Sequence, residues 1–81
     1  MRDAIFEELR RTLAQTEEWL VMHFSTPSEG EAQLSRTLSR YLRHCKRDPR
    51  KWTDPVEARR TLDKIKRACI VLTMLRFPRK D

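Results

Sequence analysis

The 81-residue sequence is poor in the residue types that tight turns and phosphate-binding loops require. It has one glycine, so a glycine-rich loop that cradles phosphate is excluded and turn-rich β architecture is disfavoured. Its longest apolar run, residues 68–75 with Thr73 inside it, falls far short of the roughly 20 residues of a membrane-spanning helix. The expectation that remains is one small all-helical domain over residues 1–81.

Potential metal ligands and catalytic groups are also scarce. His23, His44, Cys45 and Cys69 lack the paired spacing of zinc sites, so no metal and no cofactor are expected. In an antiparallel helical hairpin the two cysteines would lie about 18 Å apart, too far for a disulfide within the chain. Adjacent glutamates diverge by about 100° on a helix, and no catalytic residues or enzyme activity are predicted.

The first residues are acidic and amphipathic, whereas a signal peptide opens with a basic and then an apolar segment. Together with the expected reduced thiols, this predicts an intracellular protein, cytoplasmic or nuclear.

Three helices are predicted from hydrophobic periodicity and from capping signals. The first covers residues 4–24 with Asp3 as its N-cap, the second residues 27–47, and the third residues 55–76, with Pro78 as its limit. Their expected core faces are Ile5, Phe6, Leu9, Leu13, Leu20 and Phe24; Leu34, Leu38, Tyr41, Leu42 and Cys45; and Ala58, Leu62, Ile65, Cys69 and Leu72.

Capping residues and prolines mark the predicted helix boundaries. Residues 26–29 have the Thr-x-x-Glu capping box with proline at the first helical position, and residues 28–31 offer an overlapping Ser-x-x-Glu box. Residues 54–57 repeat the pattern with an aspartate cap. Pro49 sets the end of the second helix.

Several large apolar residues lie off the core faces, at the ends of the first and third helices. A helix that is apolar all round must be buried all round, which a three-helix monomer hardly provides. We therefore predict a three-helix bundle that forms a two-fold homodimer; the alternative is a monomer with the third helix at its centre. The predicted interface residues are Trp19, Val21, Met22, Ile70, Val71, Met74 and Phe77.

Charge is unevenly distributed along the chain. Residues 1–31 hold three Lys/Arg against seven Asp/Glu, and residues 32–81 hold fifteen against five. On the second helix four arginines fall within about 60° of one another, opposite the core face, along roughly 16 Å. These are Arg36, Arg40, Arg43 and Arg47. A line of cations of this kind suits a phosphate backbone, which accepts hydrogen bonds from each guanidinium group.

The predicted nucleic-acid-binding surface extends beyond this line to Arg50, Lys51, Arg59, Arg60, Lys66 and Arg67. Double-stranded RNA is favoured over DNA because no DNA-binding motif is present and because duplex RNA is bound mostly by shape and phosphate contacts. Binding of single strands needs stacking aromatics, for which only Trp52 is a candidate. An acidic protein partner, an anionic membrane surface and a simply solvated face remain alternatives.

This layout of three helices with an arginine line on the second resembles the dimeric N-terminal RNA-binding domain of the influenza non-structural protein. More distantly, it is similar to the small helical silencing suppressors of nodaviruses. The resemblance covers most of the chain without a shared diagnostic motif. It implies a viral homodimer that binds double-stranded RNA regardless of sequence and length and counters host RNA-based defence.

A second resemblance begins at residues 54–57 and continues through Leu62, Lys64, Lys66 and Arg67. This stretch is similar to part of the mitochondrial adaptors named for a Leu-Tyr-Arg motif, which are small, basic, helical proteins that bind an acyl carrier protein. The motif itself is missing, since residues 9–11 read Leu-Arg-Arg. The resemblance implies an alternative function as a helical adaptor that binds an acidic or apolar partner surface.

Overall fold

The computed structural model describes residues 4–77, which form three α-helices and one short 3-10 helix. Helix α1 spans Ala4–His23, α2 spans Glu29–Arg47 and α3 spans Pro55–Arg76, while the 3-10 helix occupies Pro49–Trp52. Within residues 4–77 there is no strand. The predicted all-α fold class is confirmed, and the described helix ends agree with the predicted ones to within two residues. The predicted N-cap at Asp3 and the limit at Pro78 lie outside the described residues.

The largest difference is at the start of α2, which begins two residues later than predicted because the second of the two overlapping capping boxes forms. Ser28 is the N-cap, with extended backbone dihedral angles. Its backbone N–H donates to the carboxylate of Glu31 at 3.0 Å. Glu31 is buried, whereas Glu29, which belongs to the first box, is exposed. Burial of Glu31 against the rest of the bundle therefore selects the second box.

The connection from α2 to α3 relies on two aspartates. Asp48 accepts a hydrogen bond from the backbone N–H of Arg50 at 3.0 Å, which caps the 3-10 helix. Asp54 accepts one from Val56 at 3.0 Å, with Pro55 at the first helical position, as predicted for the start of α3. Each carboxylate satisfies a backbone donor that has no partner within its own helix.

Helix α3 lies at the centre of the fold. It packs against both α1 and α2, which contact each other less extensively. Four of its apolar side chains are completely buried: Ala58, Leu62, Ile65 and Leu72. They meet Leu9 of α1 and Leu42 of α2, which are equally inaccessible. Some predicted core residues only border this core and are half-buried, namely Phe6, Leu34, Tyr41 and Cys69.

One arginine joins the ends of all three helices. Arg76, the last residue of α3, makes a bidentate ion pair with Glu31 of α2, with nitrogen to oxygen distances of 2.8 Å and 3.2 Å. It also donates to the backbone carbonyl of His23. Its guanidinium carbon lies 4.1 Å from the ring centroid of Phe24. We call this group the Arg76 clasp; it fixes α2 relative to the ends of α1 and α3.

Candidate nucleic-acid interface

A line of four arginines runs along the outer face of α2, and we call it the arginine stripe. Its members are Arg36, Arg40, Arg43 and Arg47, all exposed. The opposite face of the helix buries Leu38, Leu42 and Cys45. Because a helix repeats every 3.6 residues, burial of one face fixes the direction of the other. Packing of α2 on the core therefore holds the stripe in solvent.

The stripe is electrostatically unopposed within the described part of the chain. None of its four guanidinium groups makes an ion pair or hydrogen bond with another residue of 4–77. The carboxylates that flank the stripe in sequence, Glu31 and Asp48, are engaged elsewhere. Hydrogen bonds from Arg76 hold the pKa of Glu31 below its usual value, and hydrogen bonds from Arg50 do the same for the pKa of Asp48. Both stay ionised and paired at neutral pH.

The other six predicted contact residues behave differently, because four of them already have carboxylate partners. The nitrogen to oxygen pairs are Arg50–Asp48 at 3.2 Å, Lys51–Glu57 at 3.2 Å, Arg60–Glu57 at 3.4 Å and Lys66–Glu8 at 3.5 Å. The side chain of Lys51 is only 12% exposed, so it is the least available. Arg59 and Arg67 are exposed and make no ion pair among residues 4–77.

A groove of about 560 Å³ runs beside the stripe, between the second half of α1 and residues 32–43 of α2. Its apolar lining comes from Leu20, Val21, Phe24, Pro27 and Ala32, and its polar lining from Glu17, Ser25, Ser35, Ser39, Arg36 and Arg43. Two of the four stripe arginines therefore border an apolar groove as well as solvent.

The predicted dimer-interface residues differ in their surroundings. Ile70, Val71 and Met74, together with Leu75 and Phe77, leave an apolar outer face at the end of α3, where each is between 46% and 70% exposed. We call these five residues the apolar face of α3. Met22 is exposed at the end of α1. By contrast, Val21 lines the groove between α1 and α2.

Trp19 differs again from the other predicted interface residues. It is half-buried and packs edge-on against Phe24, with 4.9 Å between the ring centroids. Its ring therefore contributes to the core of the monomer.

Sequence reasoning missed two cations that organise the site. Besides Arg76, it omitted Lys46, whose ammonium group pairs with Glu17 of α1 at 2.6 Å and so bridges α1 to α2. Each of these cations lies four residues after a completely buried leucine, Leu42 or Leu72. Helical periodicity in the sequence therefore indicated that both cations would lie beside the core.

Other kinds of site have little support in the described residues. No three His, Cys, Asp or Glu side chains of residues 4–77 are grouped so that they could hold a metal ion. Cys45 and Cys69 are free, and burial raises the pKa of both thiols above the usual value. Across the same residues no helix has the length and hydrophobicity needed to cross a membrane.

Comparison of the chain with protein-family models, with curated proteins and with solved structures finds no match.

Proposed function

We propose that this protein binds double-stranded RNA, without regard to sequence, through the arginine stripe on α2. The observation that carries the proposal is that all four stripe arginines are exposed and unpaired among residues 4–77, whereas four of the other six predicted contacts are engaged by carboxylates. Like charges held in a line repel one another. A phosphate backbone relieves the repulsion and releases condensed counterions.

The chemistry of the stripe favours a backbone over base edges. Guanidinium groups form planar, bidentate hydrogen bonds with phosphate oxygens. The exposed face of α2 offers arginines and few side chains suited to reading adenine. Recognition through phosphates and shape is the usual mode for duplex RNA, whose deep major groove hides the bases. Resemblance to viral duplex-RNA-binding dimers supports the same proposal and a role against host RNA-based defence.

The proposal includes a homodimer built on the apolar face of α3. Of the eight large hydrophobic residues that are exposed within residues 4–77, five lie between residues 70 and 77, on the outer side of a helix whose inner side is already buried. Such a concentration of apolar surface is typical of an interaction site. A second copy would cover it symmetrically and double the arginine stripe, which suits a ligand with two strands.

The deciding experiment replaces the two central stripe residues, Arg40 and Arg43, with alanine. Affinity for duplex RNA is measured over a range of salt concentrations. The wild-type protein should show a log-log slope of about −0.9 per neutralised phosphate, by the B-DNA calibration. Each substitution should make that slope shallower by about one unit and weaken binding to all duplex sequences alike.

The matched control is Arg11→Ala, which removes an exposed arginine from α1 and should leave both affinity and slope unchanged. Circular dichroism should show unchanged helicity in every variant, because all of these side chains are exposed. An Arg40→Ala/Arg43→Ala protein that folds normally and binds duplex RNA with wild-type affinity and slope would refute the proposal.

A helical adaptor is the second candidate function, and the groove between α1 and α2 favours it. Its apolar lining beside Arg36 and Arg43 matches an amphipathic helix that carries acidic residues on one edge. Partner capture from nuclease-treated cell extract tests this candidate. Capture that is lost in Val21→Asp, together with no RNA binding at low salt, would make the adaptor the better explanation.

A further inference from the structure

Trp52 ends the 3-10 helix, a few residues after Arg47, the last arginine of the stripe. Its indole N–H donates to the backbone carbonyl of Cys45 at 3.0 Å, which fixes the orientation of the ring. The residue is half-buried and packs against the core. Its ring is therefore a rigid aromatic surface on an otherwise charged part of the molecule.

A cavity of about 440 Å³ opens over this ring, between α1 and the end of α2. Its lining consists of Arg10, Leu13, Ala14, Glu17, Lys46 and Trp52. The Arg10 guanidinium carbon lies over the indole ring, 6.0 Å from its centroid. Lys46 is tied to Glu17 at 2.6 Å, so two cations face one carboxylate and the lining carries a net positive charge.

The distance of 6.0 Å between the Arg10 guanidinium carbon and the Trp52 ring centroid is close to the separation that an inserted base needs. Successive bases of a strand are about 3.4 Å apart, so a base between two planar groups needs roughly 7 Å. Arg10 is exposed, and a shift of its side chain by about 1 Å opens the gap to that spacing. Arginine and tryptophan are both suited to stacking on a base, through cation–π and aromatic contacts.

Lys46 places the cavity beside the same turn of α2 that carries the end of the arginine stripe. Lys46 precedes Arg47 of the stripe and follows Arg43 by three residues, a rise of about 4.5 Å along α2. A strand end that contacts Arg43 and Arg47 through its phosphates would therefore lie within about one helical turn of the cavity. A base inside a duplex is already stacked on both faces and cannot enter.

We propose that the cavity over Trp52 binds one unpaired nucleobase at the end of an RNA duplex, stacked between Trp52 and Arg10. This inference rests on the proposed function and names its preferred substrate, a duplex with a single-stranded overhang. Because stacking uses the face of the base, the preference is independent of which base is present.

The test uses a Trp19→Phe protein, which leaves Trp52 as the only tryptophan of the chain. Its fluorescence is followed during titration with a blunt RNA duplex and with the same duplex carrying a two-nucleotide overhang. The overhang duplex should quench Trp52 and bind roughly tenfold more tightly than the blunt one. The blunt duplex should bind with little quenching.

Variants separate stacking from general electrostatics. Trp52→Leu and Arg10→Gln should each remove most of the overhang preference while binding to the blunt duplex persists. Trp52→Phe should retain part of the preference, since an aromatic ring remains. The matched control is Arg11→Gln, which changes the neighbouring exposed arginine outside the cavity and should retain the full preference.

Two further outcomes distinguish this inference from the proposed function. Equal affinity for the two duplexes without quenching, with binding still dependent on Arg40 and Arg43, would overturn the cavity assignment and leave the stripe intact. Failure of both duplexes to bind, while a single-stranded oligonucleotide quenches Trp52, would support the cavity and overturn duplex binding.

Discussion

The outer face of α2 and the apolar face of α3 lie on the same small core, are both exposed, and have opposite chemistry. The first carries four arginines and no carboxylate between Glu31 and Asp48. The second carries five apolar side chains over the end of the helix. Helix α2 has one apolar face and one charged face, whereas the last turns of α3 are apolar on both the inner and the outer side.

The two faces differ in the free energy of their exposure to water. Exposed guanidinium groups are well hydrated, so the arginine stripe is compatible with a free monomer. The only unfavourable effect is repulsion among its four positive charges. Exposed apolar surface costs about 25 cal/mol per Å² relative to burial, so the apolar face of α3 gains from any partner that covers it. The arginine stripe therefore indicates a polyanionic partner. The apolar face of α3 indicates a partner with an apolar surface.

The largest effect is expected where α3 contributes to the core of the monomer. Leu72 is completely buried, whereas its neighbour Val71 is 46% exposed. Leu72→Ala should lower the free energy of unfolding by about 3 kcal/mol, because it leaves a cavity in the core. Val71→Ala should change the free energy of unfolding by less than about 0.5 kcal/mol in the monomer. Urea denaturation at low protein concentration measures both.

Equal destabilisation by the two substitutions would contradict the division of α3 into a core side and an outer side. The monomer would then depend on the residues that we assign to the interface.

A smaller effect is expected on association when a charge is placed on the apolar face of α3. Met74→Asp should weaken self-association at least tenfold, since a carboxylate buried in an apolar interface loses its hydration without a partner (about 1.4 kcal/mol per tenfold). Val56→Asp is the matched control, because Val56 is 64% exposed and Met74 65% exposed on the same helix. Sedimentation velocity over a concentration series gives the dissociation constants.

Only Met74→Asp should shift the monomer–dimer equilibrium. A wild-type protein that sediments as a monomer at every concentration, or equal weakening by both variants, would remove the dimer from the proposed function.

The smallest effect concerns the Arg76 clasp, which ties the start of α2 to the end of α3. Hydrogen bonds from Arg76 lower the pKa of Glu31 in the folded protein. A carboxyl of this kind adds stability above its unfolded pKa, about 4.3, and the gain disappears as pH falls through the lower folded pKa. The free energy of unfolding of the wild-type protein should therefore decrease as the pH is lowered below about 5. The decrease should be smaller in Arg76→Met.

Urea denaturation across that pH range measures the difference. Asp48, whose pKa is lowered by Arg50, should keep its own contribution in the variant. Arg67→Met removes an exposed arginine with no ion pair among residues 4–77 and serves as the control for net charge. The same pH dependence in Arg76→Met as in wild type would argue against the clasp.

Most of the secondary structure could be predicted from the sequence because its signals are local. Periodicity identified the buried stripes of all three helices, and proline with aspartate marked the start of α3. The start of α2 was ambiguous, since two capping boxes overlap at residues 26–31. The choice between them depends on Glu31 meeting Arg76, 45 residues further along the chain.

The candidate site was predicted in part. Periodicity placed the arginine stripe on one exposed face, but it could not reveal which cations have carboxylate partners. Lys51 and Lys66 looked as available as the stripe residues, yet each pairs with a glutamate, Glu57 or Glu8 respectively. Pairing between helices depends on their relative placement, which the pattern within one helix does not contain.

By itself, the sequence determined the helices, their buried faces and the uniform positive charge on the outside of α2, because these follow from spacing along one segment. Tertiary structure alone decided that Arg76 joins three helix ends, that Val21 lines a groove between α1 and α2, and that Trp52 meets Arg10. Each of these depends on bringing side chains from different helices together, and their distances are set only when the shared core packs.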